Sequence, residues 1–190
     1  AALTDAGLDE YVAMVGDAQN AGYEEPVEVL GRDEIRALEP AVSEAVVGGV
    51  RMPAERYVRP ESLSAGLAAA IHRAGGEVHE GVEVERLENL DADAVVVAAG
   101  VWSGRLLESA GVSIPMEAAK GYSVTARGSG TLPRHAFYLA EAKVGCSTFG
   151  DALRIAGVFD LTGIDVTLRR RRIGMILRES AAYFHDWRPE

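Results

Sequence analysis

The sequence predicts an α+β fold, an antiparallel sheet with flanking helices joined to a partial parallel βαβ layer. Three observations carry that expectation. Residues 94–99 read Ala-Val-Val-Val-Ala-Ala, an unbroken apolar run of strand length, the mark of a strand buried on both faces. A strongly periodic helix, Pro60 to Ala74, precedes it. Beyond Pro115 the hydrophobic period becomes two, with Tyr122, Val124 and Ala126 alternating with Ser123, Thr125 and Arg127. These changes of pattern divide the chain into 1–59, 60–112 and 113–190.

Each element follows from local chemistry. Thr4 or Asp5 caps a first helix with Leu8, Tyr11, Val12 and Val15 on one stripe, and Gly22 lies past its end. Val27 to Leu30 is a short strand. Asp33 to Glu39 is a short helix carrying Ile35 and Leu38 and stopped by Pro40. Val46 to Met52 alternates as a half-buried strand interrupted by glycines. Pro60 suits a helical first turn, Leu63, Leu67 and Ile71 repeat every four residues, and Gly75-Gly76 ends the helix. Glu77 to His79 and Val82 to Val84 are short strands ahead of the valine run. In the last third, Phe137, Leu139, Leu153 and Ile155 continue an antiparallel meander, with a turn at Gly128-Ser129-Gly130. Asp165 caps a closing helix with Ile173, Ile176, Leu177, Ala181 and Phe184 on its stripe.

The totals exclude several classes of function. The 190 residues hold 29 acids and 19 bases, a net charge of −10, opposite to a nucleic-acid footprint. Cys146 is the one cysteine, so there is no disulfide framework and no cysteine zinc site. No apolar run approaches the roughly 18 residues of a membrane span. The first residues carry no basic stretch and long apolar core of a signal peptide, and the expected compartment is the cytoplasm. The four histidines have no metal-ligand spacing. Arg169 to Arg172 reads as a solvated helix face, and no nucleophile–base pair is legible.

The richest stretch is VVVAAGVWSGRLLESAGVSIPMEAAKGYSV, residues 95–124. It resembles the late flavin-contacting segment of the FAD-dependent D-amino-acid oxidase/dehydrogenase superfamily. The resemblance implies a dinucleotide domain and a substrate domain interleaved in one chain. Residues 60–112 would then be part of the FAD-binding layer, and the antiparallel sheet would belong to the substrate domain. Ala98, Ala99, Gly100 and Trp102 are implied to contact FAD through backbone and packing, and Val82 to meet the adenine through its backbone. Tyr138 is implied to meet the substrate. Arg154, projecting from the meander between apolar residues, is by its own chemistry a candidate to contribute positive potential toward a carboxylate. The plainer reading of Arg154 is a surface ion pair with Glu141.

Two family features are missing from this sequence. There is no G-x-G-x-x-G turn to hold the FAD pyrophosphate, and no late G-x-R-P segment. The expectation is therefore the central, mainly substrate-binding portion of a flavoenzyme that oxidises amino acids. Alone it would be inactive, free of FAD and self-associating through exposed strand edges. The alternative is a binding module of the same fold without cofactor.

Overall fold

A computed structural model describes residues 1–189. The elements are α1 (Asp5–Asn20), β1 (Glu28–Gly31), α2 (Arg32–Leu38), β2 (Gly48–Arg51), α3 (Pro60–Arg73) and α4 (Ser103–Glu108), then β3 (Ala119–Ala126), β4 (Gly128–Ser129), β5 (Phe137–Leu139), β6 (Val144–Phe149), β7 (Ala152–Leu161), α5 (Arg170–Ala181) and β8 (Arg188–Pro189). The chain divides into two units. The first comprises Ala1–Tyr57, Gly121–Phe159 and the chain from Thr167 onward; the second comprises Val58–Lys120 and Asp160–Val166.

The first unit is built on a four-stranded sheet in the order β3-β7-β6-β5. Strands β5, β6 and β7 pair antiparallel, with Leu139 opposite Val144 and Cys146 opposite Ile155. Gly150-Asp151 joins β6 to β7, and Gly150 takes the positive φ of +66° that a two-residue hairpin needs. One face of the sheet carries Tyr122, Leu139, Val144, Cys146, Leu153 and Ile155, all buried. Ile35 of α2, Ile176 of α5 and the aromatic residues Tyr183, Phe184 and Trp187 close over that face. Burial pushes the Cys146 thiol up to about 12, which keeps it an inert core group.

Local signals behave as expected where the chain satisfies its own hydrogen bonds. The Thr4 hydroxyl caps α1 by accepting from the Gly7 N–H at 3.0 Å. The Glu34 carboxylate reaches back to the Gly31 N–H at 2.7 Å ahead of α2. β1 and β2 form an antiparallel hairpin, with Val29 opposite Val50. Gly48 is required there, because a Cβ would stand 2.6 Å from the Leu30 carbonyl oxygen.

Three expectations are corrected. Asp165 does not cap the closing helix, which starts at Arg170 after Arg169; its carboxylate lies 3.4 Å from Lys120 Nζ. Gly128-Ser129 is a short strand paired with Arg188-Pro189, with Gly130 turning behind it at φ +113°. The largest correction concerns the parallel layer. Residues 77–79, 82–84 and 94–99 belong to no strand, and Val96 is 90% exposed. An apolar run is a demand for neighbours on both edges and both faces, and no described segment pairs with this one. Leu63, Leu67 and Ile71 of α3, in the same unit, are likewise exposed. The α+β class stands, carried by antiparallel sheets and helices.

Candidate functional site

Candidate residues occur in both units. In the first unit, strand alternation sends Tyr138 and Arg154 to the sheet face opposite the core, since Leu139, Leu153 and Ile155 point inward. Tyr138 pairs with Gly145, Gly145 with Ala156, and Arg154 with Ser147. Two strand spacings across and two residues along separate the Cα atoms of Tyr138 and Arg154 by roughly 12 Å. That span suits two ends of one small ligand.

Arg154 is held in place. Its Nε donates to Thr125 Oγ1 at 3.2 Å, and its guanidinium lies 5.1 Å from the Phe149 ring centroid. Tyr57 meets Phe149 edge-on at 5.7 Å and donates its hydroxyl to the Thr148 carbonyl at 3.4 Å. Glu141, the ion-pair partner expected for Arg154, is occupied at the other end of the hairpin. It accepts from the N–H groups of Leu3 and Thr4, the Thr4 hydroxyl and the Tyr183 hydroxyl.

Tyr138 also lines a cleft of about 530 Å³, a size suited to a small molecule. Tyr11 and Tyr57 line it too, and the Tyr11 ring lies 5.6 Å from that of Tyr138. Burial, together with the neighbouring Tyr138, raises the Tyr11 phenol above its ordinary range. Glu39, 1% exposed, is a further lining residue. Its Oε2 accepts from the backbone N–H groups of Arg134 and His135 at 2.8 and 3.1 Å, and His135 Nδ1 lies 3.1 Å away. These bonds fix the chain immediately before β5 and so set where Tyr138 begins. Glu39 and Tyr57 were not legible as site residues, because Glu-Pro and Tyr-Val in sequence carry no spacing signal.

In the second unit the Ala98–Trp102 stretch forms an open backbone edge. Ala98 is exposed and Ala99 half-buried, and the chain turns at Gly100 with φ +55°. A Cβ on Gly100 would find no atom within 4 Å. A tight 3-10 turn follows, in which the Trp102 N–H donates to the Ala99 carbonyl at 3.2 Å. The Trp102 indole is 59% exposed, so it is not a packed core residue. The edge is therefore shaped by a left-handed glycine and a turn, where a paired strand was expected. Small side chains, exposed backbone and free space fit a flat cofactor lying against the chain. Val82, 65% exposed, lies on a separate segment of the same unit. The structure thus shares one face between Tyr138 and Arg154, and gathers Ala98, Ala99, Gly100 and Trp102 along one turn.

Among the described residues no three His, Cys, Asp or Glu side chains cluster to hold a metal ion. No described helix is long and apolar enough to cross a membrane.

Comparison with known proteins matches this architecture. The family model described as "DAO: FAD dependent oxidoreductase" matches residues 1–189. A D-amino acid dehydrogenase of Bradyrhizobium diazoefficiens is 29% identical over 165 residues, which are 77% of this chain and 39% of that protein. The solved glycine oxidase of Geobacillus kaustophilus superposes with a TM-score of 0.83 at 24% identity, over 96% of this chain and 52% of that one. An L-proline dehydrogenase of P. horikoshii superposes with a TM-score of 0.79 at 17% identity, over 93% of this chain and 53% of that one. The chain therefore spans about two-fifths to one-half of the relatives it matches.

Proposed function

Since this chain belongs to the DAO family of FAD-dependent oxidoreductases, we propose that it is the central, mainly substrate-binding portion of an enzyme that oxidises amino acids. The observation that carries this is the shared sheet face of Tyr138 and Arg154, within a chain that the family matches along its described length. The D-amino acid dehydrogenase relative supports an amino-acid substrate.

In this reading bound FAD would supply the hydride-accepting chemistry for oxidation at the substrate Cα. The chain's own residues orient and shield. Arg154, fixed by Thr125 and Phe149, attracts the substrate carboxylate. Tyr138 closes the other end of the substrate and offers its hydroxyl. Ala98, Ala99, Gly100 and Trp102 present backbone and an indole to the cofactor, and Val82 offers backbone to the adenine. Residues 60–112 then belong to the FAD-binding layer, and 1–59 with 113–190 to the substrate domain. The test is to supply D- and N-methyl amino acids to the intact protein containing this chain and follow loss of the flavin's visible band. At least one should bleach it; a flavin left oxidised by every one would remove this reading.

The chain by itself is expected to be free of FAD. The cofactor's pyrophosphate is normally held by backbone N–H groups and the helix dipole at a glycine-rich turn, and this sequence has no G-x-G-x-x-G. The remaining apolar and backbone contacts do not offset the cost of ordering a long, doubly charged ligand. Purified and desalted, the chain should be colourless and sediment as more than a monomer, since Val96 and the α3 stripe are exposed. Near-stoichiometric flavin absorbance would contradict the first expectation, and a clean monomer at high concentration the second. The missing glycine turn also favours one second reading, a cofactor-less binding module. A G-x-G-x-x-G encoded upstream in the same reading frame would eliminate it.

A further inference from the structure

Two strand edges in the first unit face each other across a gap one strand wide. β5 ends the four-stranded sheet, and β2 pairs with β1 in a two-stranded one. Ala1 and Ala2 sit between them. The Ala1 nitrogen donates to the Tyr138 carbonyl at 2.9 Å, and the Ala140 N–H donates to the Ala1 carbonyl at 2.9 Å. On the other side the Ala2 N–H donates to the Gly48 carbonyl at 3.0 Å, and the Val47 N–H to the Ala2 carbonyl at 2.9 Å. The first two bonds set a parallel register with Ala1 beside Leu139, and the second two accompany an antiparallel bridge between Ala2 and Gly48. A segment bonded on both sides holds its neighbours two strand spacings apart, about 9.5 Å.

The cleft of about 530 Å³ continues that gap, with residues 49–52 on one wall and 134–138 on the other. Its volume suits a small molecule too, but its walls are strand edges with backbone groups left over. Successive residues of a strand turn their N–H and C=O to alternate sides. The Tyr138 carbonyl faces Ala1, so the Tyr138 N–H faces the same way. The Gly48 carbonyl faces Ala2, so two residues further on the N–H and C=O of Val50 face the cleft as well. Alternation leaves these three groups without a partner among the described strands. Two open edges in one register are a template for a further strand.

Resting on the reading above that this chain is the central portion of a longer enzyme, we propose that the cleft is the slot for one extended strand, formed by the residues joined to the Ala1 nitrogen in the intact protein. The strand runs parallel to β5 and antiparallel to β2. Its residue next to Ala1 exchanges bonds with Val50, and the one before that accepts from the Tyr138 N–H. Ala1 and Leu3 pack against the core cluster, so alternation turns the second residue before Ala1 to the same side and calls for an apolar side chain there. Filling the slot joins the β1–β2 pair to the four-stranded sheet. It also fixes the backbone of Tyr138, which makes the strand a positioning element for the substrate face.

Amide hydrogen exchange on the intact protein tests this. The Val50 and Tyr138 amides should exchange as slowly as that of Cys146, which pairs with Phe137 inside the sheet. Replacing the two residues before Ala1 by proline, which has no N–H to donate, should speed both amides at least about a hundredfold and leave Cys146 protected. An unchanged rate in that variant would overturn the proposal. Should the variant not fold, the unaltered protein still decides, because Val50 and Tyr138 amides that exchange like those of an exposed loop would overturn it too. Protection lost on dilution would overturn it in favour of a second copy adding its own strand. Protection gained only when an amino acid is added would overturn it in favour of a ligand filling the cleft. The measurement otherwise needs neither flavin nor substrate. Unprotected amides in a protein that oxidises amino acids leave the oxidoreductase reading standing, and protected amides in one that oxidises none sink that reading alone.

Discussion

Leu139→Ala is expected to destabilise the first unit by about 3 to 4 kcal/mol, near the middle of the range for emptying a fully buried leucine site. Leu139 is 0% exposed, pairs with Val144 across the β5–β6 ladder and belongs to the cluster that joins the sheet to α2 and α5. Two neighbours limit how far the gap can close. Tyr138 on one side faces the cleft, and Ala140 on the other has its N–H bonded to the Ala1 carbonyl at 2.9 Å. The loss is therefore expected to show in ligand binding as well as in stability. Urea unfolding should give a lower midpoint with an unchanged slope. A shift below about 1 kcal/mol would mean that the core repacks around the site.

The second large effect is electrostatic. Burial alone would raise the Glu141 carboxyl, but the Tyr183 hydroxyl and then the Leu3 N–H, Thr4 hydroxyl and its own backbone N–H hold it down, from 4.5 to about 2. A carboxyl whose folded value lies below its unfolded one contributes stability that is fully present above pH 4.5 and lost as pH falls toward 2. Glu141 is exposed on one side, so solvent screening reduces that contribution to about 1 to 2 kcal/mol. Glu141→Gln should remove most of this pH-dependent part. Glu141→Ala should cost about 2 to 3 kcal/mol at neutral pH, because several donors lose a charged acceptor together. Denaturant melts at pH 7 and pH 3 measure both. If the wild type and Glu141→Gln lose equal stability between those pH values, the carboxylate does not anchor the amino-terminal segment.

The elements read correctly from sequence are those that satisfy their own backbone. Thr4 before an apolar stripe, Pro60 at a first turn and Gly75 past a last one carry their reason within a few residues, so α1 and α3 are legible. The alternation of the meander is legible too, because a sheet with one covered face imposes period two on Tyr122, Leu139 and Ile155. The parallel layer and the Gly128 turn fail because each depends on partners far along the chain, and the Asp165 cap fails locally, because the helix starts after Arg169. Val95 to Val97 were read as a buried strand because their composition requests neighbours, but composition does not say whether those neighbours are there. Glu39 and Glu141 look like ordinary surface acids. Each gains its role by bonding a distant segment, Arg134–His135 some 95 residues away for Glu39 and Leu3–Thr4 some 138 residues away for Glu141. The placement of the candidate residues is legible in the same uneven way. Tyr138 and Arg154 share a face because alternation is local, whereas Tyr57 meets Phe149 only through tertiary folding.

The first unit is assembled from three separated stretches of chain, with Val58–Lys120 intervening between the first two. On the ribosome this has a kinetic meaning. The β1–β2 hairpin and α2 are made before the four-stranded sheet whose core Leu30 and Ile35 join. The anchor for Thr4 waits for Glu141, and the lid formed by Ile176, Tyr183 and Trp187 comes later still. At roughly 5 to 20 residues per second, the head of α1 packs on β2 early but waits several seconds or more for Glu141. Closing such long loops raises the barrier more than it lowers final stability. Early-made α1, whose Tyr11 has yet to meet Tyr138 and whose Thr4 has yet to meet Glu141, is then a segment on which a chaperone has long to act.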